Sequence, residues 1–230
     1  MGNGAVILDV DGTLVDSNDA HAHAWVEAFA EHGITVPFER VRRAIGMGGD
    51  KLMPHVAGVE EDSAVGRDIS GRRASLFKDK HLPRLTPFPR VRELLERFRA
   101  DDLTLAVASS AKKDELQPLL EIAGVADLIP ARTSSDDAER SKPDPDIVQA
   151  ALREAGVPAD RSIMLGDTPY DVEAATRSRV RIVGVECGGW SREELRGAAA
   201  VFASPADVLA RYEDSPFGQA ARRALHPSRA

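Results

Sequence analysis

The chain has 230 residues, of which 43% are hydrophobic and 29% charged, so it is long enough for one large domain or for a domain with a sizeable insertion. Its net charge of −7 argues against a general nucleic-acid-binding protein. The single cysteine, Cys187, excludes an intrachain disulfide framework and a cysteine-based zinc cluster.

Two further features bear on where the protein works. No uninterrupted apolar run approaches the ~20 residues that cross a bilayer. The first residues, MGNGAVILDVDG, lack the basic region of a signal peptide and reach carboxylates too early for one. We therefore expect a cytoplasmic protein with neither a membrane nor nucleic acid as a partner.

The first predicted element is a buried strand, AVILDV, that ends in a group of aspartates. Asp9 and Asp11 stand at its carboxyl end, Gly12 follows where the chain must turn, and Asp16 comes shortly after. Asp11 and Gly12 could be ordinary turn formers, and Asp16 could start a linker or cap the next helix.

The next interval, residues 17–87, contains stretches with helical periodicity and no convincing strand. We predict a helical cap inserted after the first strand. An insertion at that point would overhang the carboxyl ends of the strands, which is where open α/β sheets bind ligands.

Beyond residue 88, apolar segments alternate with amphipathic helical ones, which predicts a parallel sheet with helices on both faces. The core is assigned to residues 1–16 and 88–212. The final stretch, 213–230, follows the last plausible helix and is interpreted as a C-terminal tail. The predicted strands are 5–10, 103–110, 126–135, 162–167, 180–185 and 199–204.

A second pair of carboxylates, Asp167 and Asp171, follows the strand at 162–167. Carboxylates that meet at one edge of a sheet repel one another unless a cation lies among them, and Mg²⁺ is the usual cation for an all-oxygen site. The sequence thus predicts a magnesium site. Taken alone, Asp167 could equally be a helix cap.

Two more strand ends carry groups suited to phosphate. Ser109 and Ser110 close an apolar strand just before a helix, where hydroxyls and free backbone N–H groups can cradle a phosphate, although the serines could also be simple caps. Lys142 precedes Pro143 at a loop-to-helix junction and offers an ammonium group to phosphate or carboxylate.

The order Asp-x-Asp, Ser, Lys, Gly-Asp-x-x-x-Asp, begun by DVDGTLVDS, resembles the haloacid dehalogenase superfamily, in its phosphatase and phosphomutase branch with a helical cap. The resemblance covers roughly residues 5–210 and implies a Rossmann-like α/β core. It implies that Asp9 is the nucleophile, and that Asp11 is the general acid and base and a Mg²⁺ ligand through its carbonyl. Asp167 would bind the metal directly, and Asp171 through water or as a buttress.

The same resemblance implies that Ser109 and Lys142 hold the transferring phosphoryl group. The implied function is a Mg²⁺-dependent phosphatase acting on a small phosphorylated metabolite, such as a sugar phosphate or a phosphoglycolate-like acid. A sugar phosphomutase is the main alternative, and a binding module without turnover is a third. Whether the chain is a monomer or a homodimer stays open.

Cap residues that could contact the substrate are His21, Gly48, Gly49 and Lys51. His21 could instead be a packing or surface residue, and Gly48 and Gly49 could form a plain interhelical turn. Phosphomutases of this kind tend to carry an arginine where Gly49 stands, and the glycine therefore argues against the phosphomutase alternative. Lys51 resembles the imine-forming lysine of phosphonoacetaldehyde hydrolases, but those enzymes lack an acid at the position of Asp11.

The remaining notable cap residues are interpreted as structural. Arg72, Arg73 and Lys78 could direct a cation toward an acidic substrate, but on a helix such residues usually form a solvated face. Trp25 is interpreted as a packing residue.

Overall fold

Within residues 4–225, which the computed structural model describes, six strands form one parallel sheet in the order β3-β2-β1-β4-β5-β6. The predicted α/β fold and each of the six predicted strands are confirmed. The strands are β1 (Gly4–Leu8), β2 (Leu103–Ala108), β3 (Ala131–Thr133), β4 (Ser162–Gly166), β5 (Arg181–Val185) and β6 (Ala200–Phe202).

The sheet is covered on both faces because its strands are apolar on both. In β1, Val6 and Leu8 pack into one hydrophobic cluster, whereas Ala5 and Ile7 pack into the other. Alternate side chains of a strand point to opposite faces, so a run of apolar residues needs helices on each side.

The helices on the face of Val6 and Leu8 include α5 (Val91–Ala100), α6 (Lys113–Ile122) and α9 (Pro205–Ala210). The opposite face is covered by α7 (Asp146–Ala155) and α8 (Pro169–Arg177).

Strand β3 is shorter than the predicted 126–135. Its residues pair only with β2, over Ala106↔Ala131 to Ala108↔Thr133. Residues 126–128 form a turn and Pro130 precedes the strand, and proline cannot donate a ladder hydrogen bond. The apolar side chains Leu128 and Ile129 are buried from this turn rather than from a strand.

The segment between β1 and α5 is helical, as the sequence predicts. It contains α1 (Asn18–Glu31), α2 (Phe38–Arg42), α3 (Gly49–Ala57) and α4 (Ala64–Leu76). Its two ends run side by side: the N–H of Asp16 donates to the carbonyl of Thr86 (3.1 Å) and that of Phe88 to the carbonyl of Leu14 (3.0 Å). The segment therefore leaves and rejoins the core at one place, beside the carboxyl end of β1.

The interpretation of 213–230 as a tail after the last helix is wrong for much of its length. Residues Pro216–Leu225 form a further helix, α10, and Phe217 is fully buried with its ring centroid 4.6 Å from that of Phe98. The Pro, Gly and Arg residues of this stretch suggested a loop, but proline is well tolerated in the first turn of a helix. Residues 226–230 lie outside the described part of the chain.

Replacing Phe217 with alanine is expected to lower the free energy of unfolding by about 3 to 5 kcal/mol, because the side chain fills a closed apolar site. Urea denaturation measures the change. Gln219→Ala, at an exposed position of the same helix, is the control and should change stability by less than about 1 kcal/mol. Equal stability of both variants would contradict the packing seen for α10.

Candidate active site

Asp9 and Asp167 lie side by side because they follow neighbouring strands. Strands β1 and β4 pair up to Leu8↔Leu165, and the N–H of Asp9 donates to the carbonyl of Leu165 (2.9 Å). Asp171, from the first turn of α8, approaches the same point. Asp9, Asp167 and Asp171 are all buried, and each places an oxygen within 4.8 Å of the others.

Lys142 lies among these carboxylates. Its ammonium donates to Oδ1 of Asp9 and to Oδ1 of Asp171 (2.7 Å), and its side chain is 1% exposed. Burial acts to lower the pKa of Lys142, but the charges of Asp171 and Asp9 raise it above its ordinary value, so the ammonium stays protonated. All four were predicted site residues, and the fold brings them together.

Lys142 provides one positive charge to a cluster of three carboxylates. Burial, together with the charge of Asp171, raises the pKa of Asp167 to about 7. The pKa of Asp9 is raised well above its ordinary value by burial, which Lys142 offsets only in part, and by the neighbouring carboxylates. Oxygen ligands at short range with surplus negative charge are the donor set that suits Mg²⁺, so the residues fit the predicted metal.

Asp167 and Asp171 are held differently. Asp167 accepts hydrogen bonds from the Thr13 hydroxyl and the Asn18 amide, both at 2.9 Å. Asp171 closes a capping box, in which Thr168 donates to its Oδ2 from N–H (3.0 Å) and hydroxyl (2.7 Å). Since its Oδ1 meets Lys142, both oxygens of Asp171 are already engaged by the protein. The same is true of Asp167, whose Oδ1 accepts from Thr13 and whose Oδ2 accepts from Asn18, so both carboxylates are held in fixed orientations.

Gly12 is required by this packing. Its φ is +76°, and a Cβ there would lie 2.1 Å from the Asn18 amide nitrogen and 2.2 Å from an Asp167 oxygen. Thr13 and Asn18 were not predicted as site residues. Their positions could have indicated them, because Thr13 directly follows Asp11 and Gly12, and Asn18 is the first residue of α1.

Asp11 points away from the cluster toward the first helix. Its Oδ1 lies 2.8 Å from Nε2 of His21 and also accepts from the Ser17 hydroxyl. Burial acts to raise the pKa of Asp11, but the charge and hydrogen bond of His21 and the bond from Ser17 hold it below its ordinary value. The His21 ring stacks on Phe77, with centroids 3.9 Å apart, so its orientation is set by packing.

The two serines after β2 take different positions. Ser109 is fully buried, and its hydroxyl accepts from the N–H of Ala111 (3.1 Å) in the turn before α6. Ser110 donates to the carbonyl of Gly46 (3.0 Å) and so joins the core to the insertion. Strand β2 pairs with β1 up to Leu8↔Val107, and Ser110 lines the same cavity as Asp9. The phosphate cradle at these serines stays a prediction.

The predicted cap residues Gly48, Gly49 and Lys51 lie where the insertion meets the core. The N–H of Gly48 donates to the Ser141 hydroxyl (3.0 Å), next to Lys142, and a Cβ on Gly48 would lie 2.5 Å from that of Ser141. Gly48 and Gly49 face the space above Asp9. Lys51 instead forms an ion pair with Asp144 (3.0 Å), which occupies its ammonium in a contact between insertion and core.

Two connected cavities lie over the site. The inner one, about 50 Å³, is bounded by Asp9 and Asp11 below and by His21 and Trp25 above. The outer one, about 770 Å³, opens between the insertion and the core. Gly48, Gly49, Arg73 and Ser110 line both.

Arg73 does not belong to a solvated face. It is 8% exposed and donates from Nη1 to both oxygens of Glu115 (2.9 and 2.8 Å), which is fully buried at the start of α6. Its guanidinium also lies over the Trp25 ring, 5.0 Å from the centroid. A helical pattern cannot reveal a partner 42 positions away, so the sequence offered no signal for this pair.

The site can be compared with known proteins. The family model for haloacid dehalogenase-like hydrolases matches residues 6–185, which is most of the chain. The chain is a haloacid dehalogenase-like hydrolase. The resemblance found in the four motifs is thereby confirmed.

Two relatives match this hydrolase over most of its length. A phosphoglycolate phosphatase of Rhodospirillum rubrum is 32% identical over 209 residues, covering 86% of each chain. The chloroplastic protein suppressor of quenching 1 of Arabidopsis thaliana is 32% identical over 186 residues, 79% of this chain but only 18% of its own length.

Solved structures support the same fold. A hydrolase from Pseudomonas syringae superimposes with a TM-score of 0.84 at 28% identity, covering 92% of this chain and 98% of its own. A β-phosphoglucomutase from Clostridium difficile has a TM-score of 0.77 at 18% identity, covering 94% and 97%, and at that identity the likeness extends to the fold alone. Within residues 4–225 no helix combines the length and apolarity needed to cross a membrane.

Proposed function

We propose that this hydrolase is a Mg²⁺-dependent phosphatase that releases phosphate from a small phosphorylated metabolite through an aspartyl-phosphate on Asp9. The observation that carries the proposal is the position of Asp9: a buried carboxylate at a strand end, beside Lys142 and under a cavity bordered by Asp11. A carboxylate needs no activating base, which suits it to attack phosphorus directly.

In the first step, one oxygen of Asp9 would bond to phosphorus as the bond to the leaving alcohol's oxygen breaks. Asp11, in its protonated form, would supply the proton to that oxygen, and its contact with His21 (2.8 Å) orients the carboxyl group. Lys142, Ser109 and Ser110 would hold the phosphoryl oxygens.

In the second step, Asp11 would take a proton from water, whose oxygen bonds to phosphorus while the bond to Asp9 breaks. This releases phosphate and restores Asp9. The residues that would hold Mg²⁺ are Asp9, the carbonyl of Asp11 and Asp167, with Asp171 as a buttress or a ligand through water. When bound, the metal supplies positive charge opposite the phosphoryl oxygens.

The helical insertion would exclude water and select the leaving group, with His21, Gly48 and Gly49 as contacts. The mutase alternative has no feature in its favour here. At Gly49, where the resemblance places an arginine in mutases, there is no side chain to hold a second phosphate.

The test is a panel of phosphorylated metabolites assayed for free phosphate. Release is expected with Mg²⁺, and its loss with EDTA should be reversed by added Mg²⁺. Conversion of a hexose 1-phosphate to the 6-phosphate without free phosphate would favour the mutase. Absence of release from every ester would refute the phosphatase.

A control variant separates metal binding from turnover. In thermal or urea unfolding, Mg²⁺ should stabilise the native protein by about 2.7 kcal/mol at 100 times its Kd, because it binds only the folded state. Asp167→Asn should lose most of this gain. Asp160→Asn, an exposed aspartate in the turn before β4, should retain it.

A further inference from the structure

The paired side chains Arg73 and Glu115 lie where the two cavities meet, close to Asp9 and Asp11. Arg73 lines both cavities, and Glu115 lines the inner one together with Asp9 and Asp11. One partner comes from the insertion (α4) and the other from the core (α6). The pair is thus part of the wall that meets whatever is attached to the phosphoryl group.

The charge of Arg73 is already compensated within the protein. Both Glu115 oxygens are engaged by a single nitrogen, Nη1, and the side chains are 10% and 1% exposed. A second anion brought to Arg73 would also approach Glu115, and like charges at short range in a buried site repel strongly. The pair therefore presents hydrogen-bond donors without a net positive charge.

One of those donors has no partner among the described residues of the protein. Nε of Arg73 is buried, and no residue within the described 4–225 accepts a hydrogen bond from it. Buried N–H groups without a partner are rare in folded proteins, so an ordered water or an oxygen of a bound molecule would complete its hydrogen bonding. A neutral hydroxyl oxygen can do so without bringing charge.

The lining of the outer cavity also disfavours an anionic ligand. Among its lining residues, six carboxylates face three basic side chains, Arg67, Arg73 and Lys112, and one of these three is the compensated Arg73. The six are Asp50, Glu60, Glu61, Asp62, Asp136 and Glu139. An acidic leaving group would therefore enter a space of its own sign.

We infer that the Arg73–Glu115 pair is the specificity determinant of this site and selects an uncharged, hydroxyl-bearing leaving group, a polyol or sugar, over a carboxylate or a second phosphate. The inference rests on the proposed phosphatase function. It differs from the activity named for the phosphoglycolate phosphatase relative, whose substrate has an acidic leaving group.

The test uses two esters that differ at one carbon: glycerol 3-phosphate and 3-phosphoglycerate, in which a carboxylate replaces a hydroxymethyl group. In the native protein kcat/KM should favour glycerol 3-phosphate by at least about tenfold. If either ester turns over too slowly, the ratio of their inhibition constants against p-nitrophenyl phosphate is measured instead. Both ratios are independent of the folded fraction in a preparation.

Glu115→Gln should lower this ratio by at least about tenfold, because the Arg73 charge is then free to pair with the substrate carboxylate. The matched control is Glu61→Gln, which removes one negative charge from the outer cavity without touching Arg73 and should change the ratio by less than about threefold. An unchanged ratio in Glu115→Gln, or an equal change in the control, would overturn the inference.

If Glu115→Gln does not fold, the neutral double variant Arg73→Met/Glu115→Gln replaces it, since it leaves no unpaired buried charge. Its kcat/KM for glycerol 3-phosphate should be about tenfold lower than that of the native protein, and its kcat/KM for 3-phosphoglycerate should not rise. Retained efficiency with glycerol 3-phosphate would overturn the inference. A native preference for 3-phosphoglycerate would do so while leaving the phosphatase intact, whereas failure to hydrolyse any ester refutes the phosphatase itself.

Discussion

Replacing Asp9 with asparagine is expected to abolish phosphate release from every ester, with a loss of at least about 10³-fold in kcat. The amide is nearly isosteric, but it has no anionic oxygen to form the bond to phosphorus. Phosphate release under saturating Mg²⁺ measures the loss. Mass spectrometry of acid-quenched protein should detect a phosphorylated species in the native chain and none in the variant.

The matched control is Asp16→Asn, in the same motif. Asp16 is exposed, so the same chemical change there should leave kcat within about twofold. The Asp9 variant should remain folded, because asparagine has nearly the same shape and its amide oxygen can still accept the hydrogen bond from Lys142. Turnover retained by Asp9→Asn would disprove both the nucleophile and the proposed reaction.

Replacing Lys142 with methionine should strongly destabilise the folded state. Methionine keeps much of the volume, but it leaves Asp9 and Asp171 buried beside Asp167 without their cation. Removing one partner of a buried ion pair costs about 3 to 5 kcal/mol. Urea denaturation in EDTA measures this cost, and phosphate release should be lost as well.

Lys51→Met is the control for Lys142→Met. The Lys51 ammonium also pairs with a carboxylate, Asp144, but its side chain is 36% exposed, so water screens the pair. The expected loss is below about 1 kcal/mol. Equal losses in both variants would show that Lys142 has no special electrostatic role.

Much of the fold was predictable because strands and amphipathic helices have local signatures. A continuous apolar run, AVIL before Asp9, indicates a buried strand. Helical spacing of apolar residues indicates α5, at Val91, Leu94, Leu95 and Phe98. Element ends were less certain, as β3 shows. The C-terminal helix was missed because its amphipathic residues stand among Pro, Gly and Arg, which also occur in loops.

The residues grouped around Asp9 were predictable for a related reason. In a parallel sheet the carboxyl ends of all strands meet at one edge, so Asp9, Ser109 and Asp167, each directly after a strand, must converge once the strands are recognised. Lys142 stands apart from this rule, since it lies in a loop before α7. It was identified by its order among the motifs.

The family, the sheet and the aspartates at its edge could therefore be predicted before the structure was known, because motifs, periodicity and strand ends are local properties of the chain. Three contacts could be seen only in the folded protein: His21 with Asp11, Lys142 with Asp171, and Arg73 with Glu115. The contacts of His21 with Asp11 and of Arg73 with Glu115 join the helical insertion to the core. They depend on how two packed surfaces meet, which no local pattern records. The contact between Arg73 and Glu115 is the one from which the choice of leaving group is inferred.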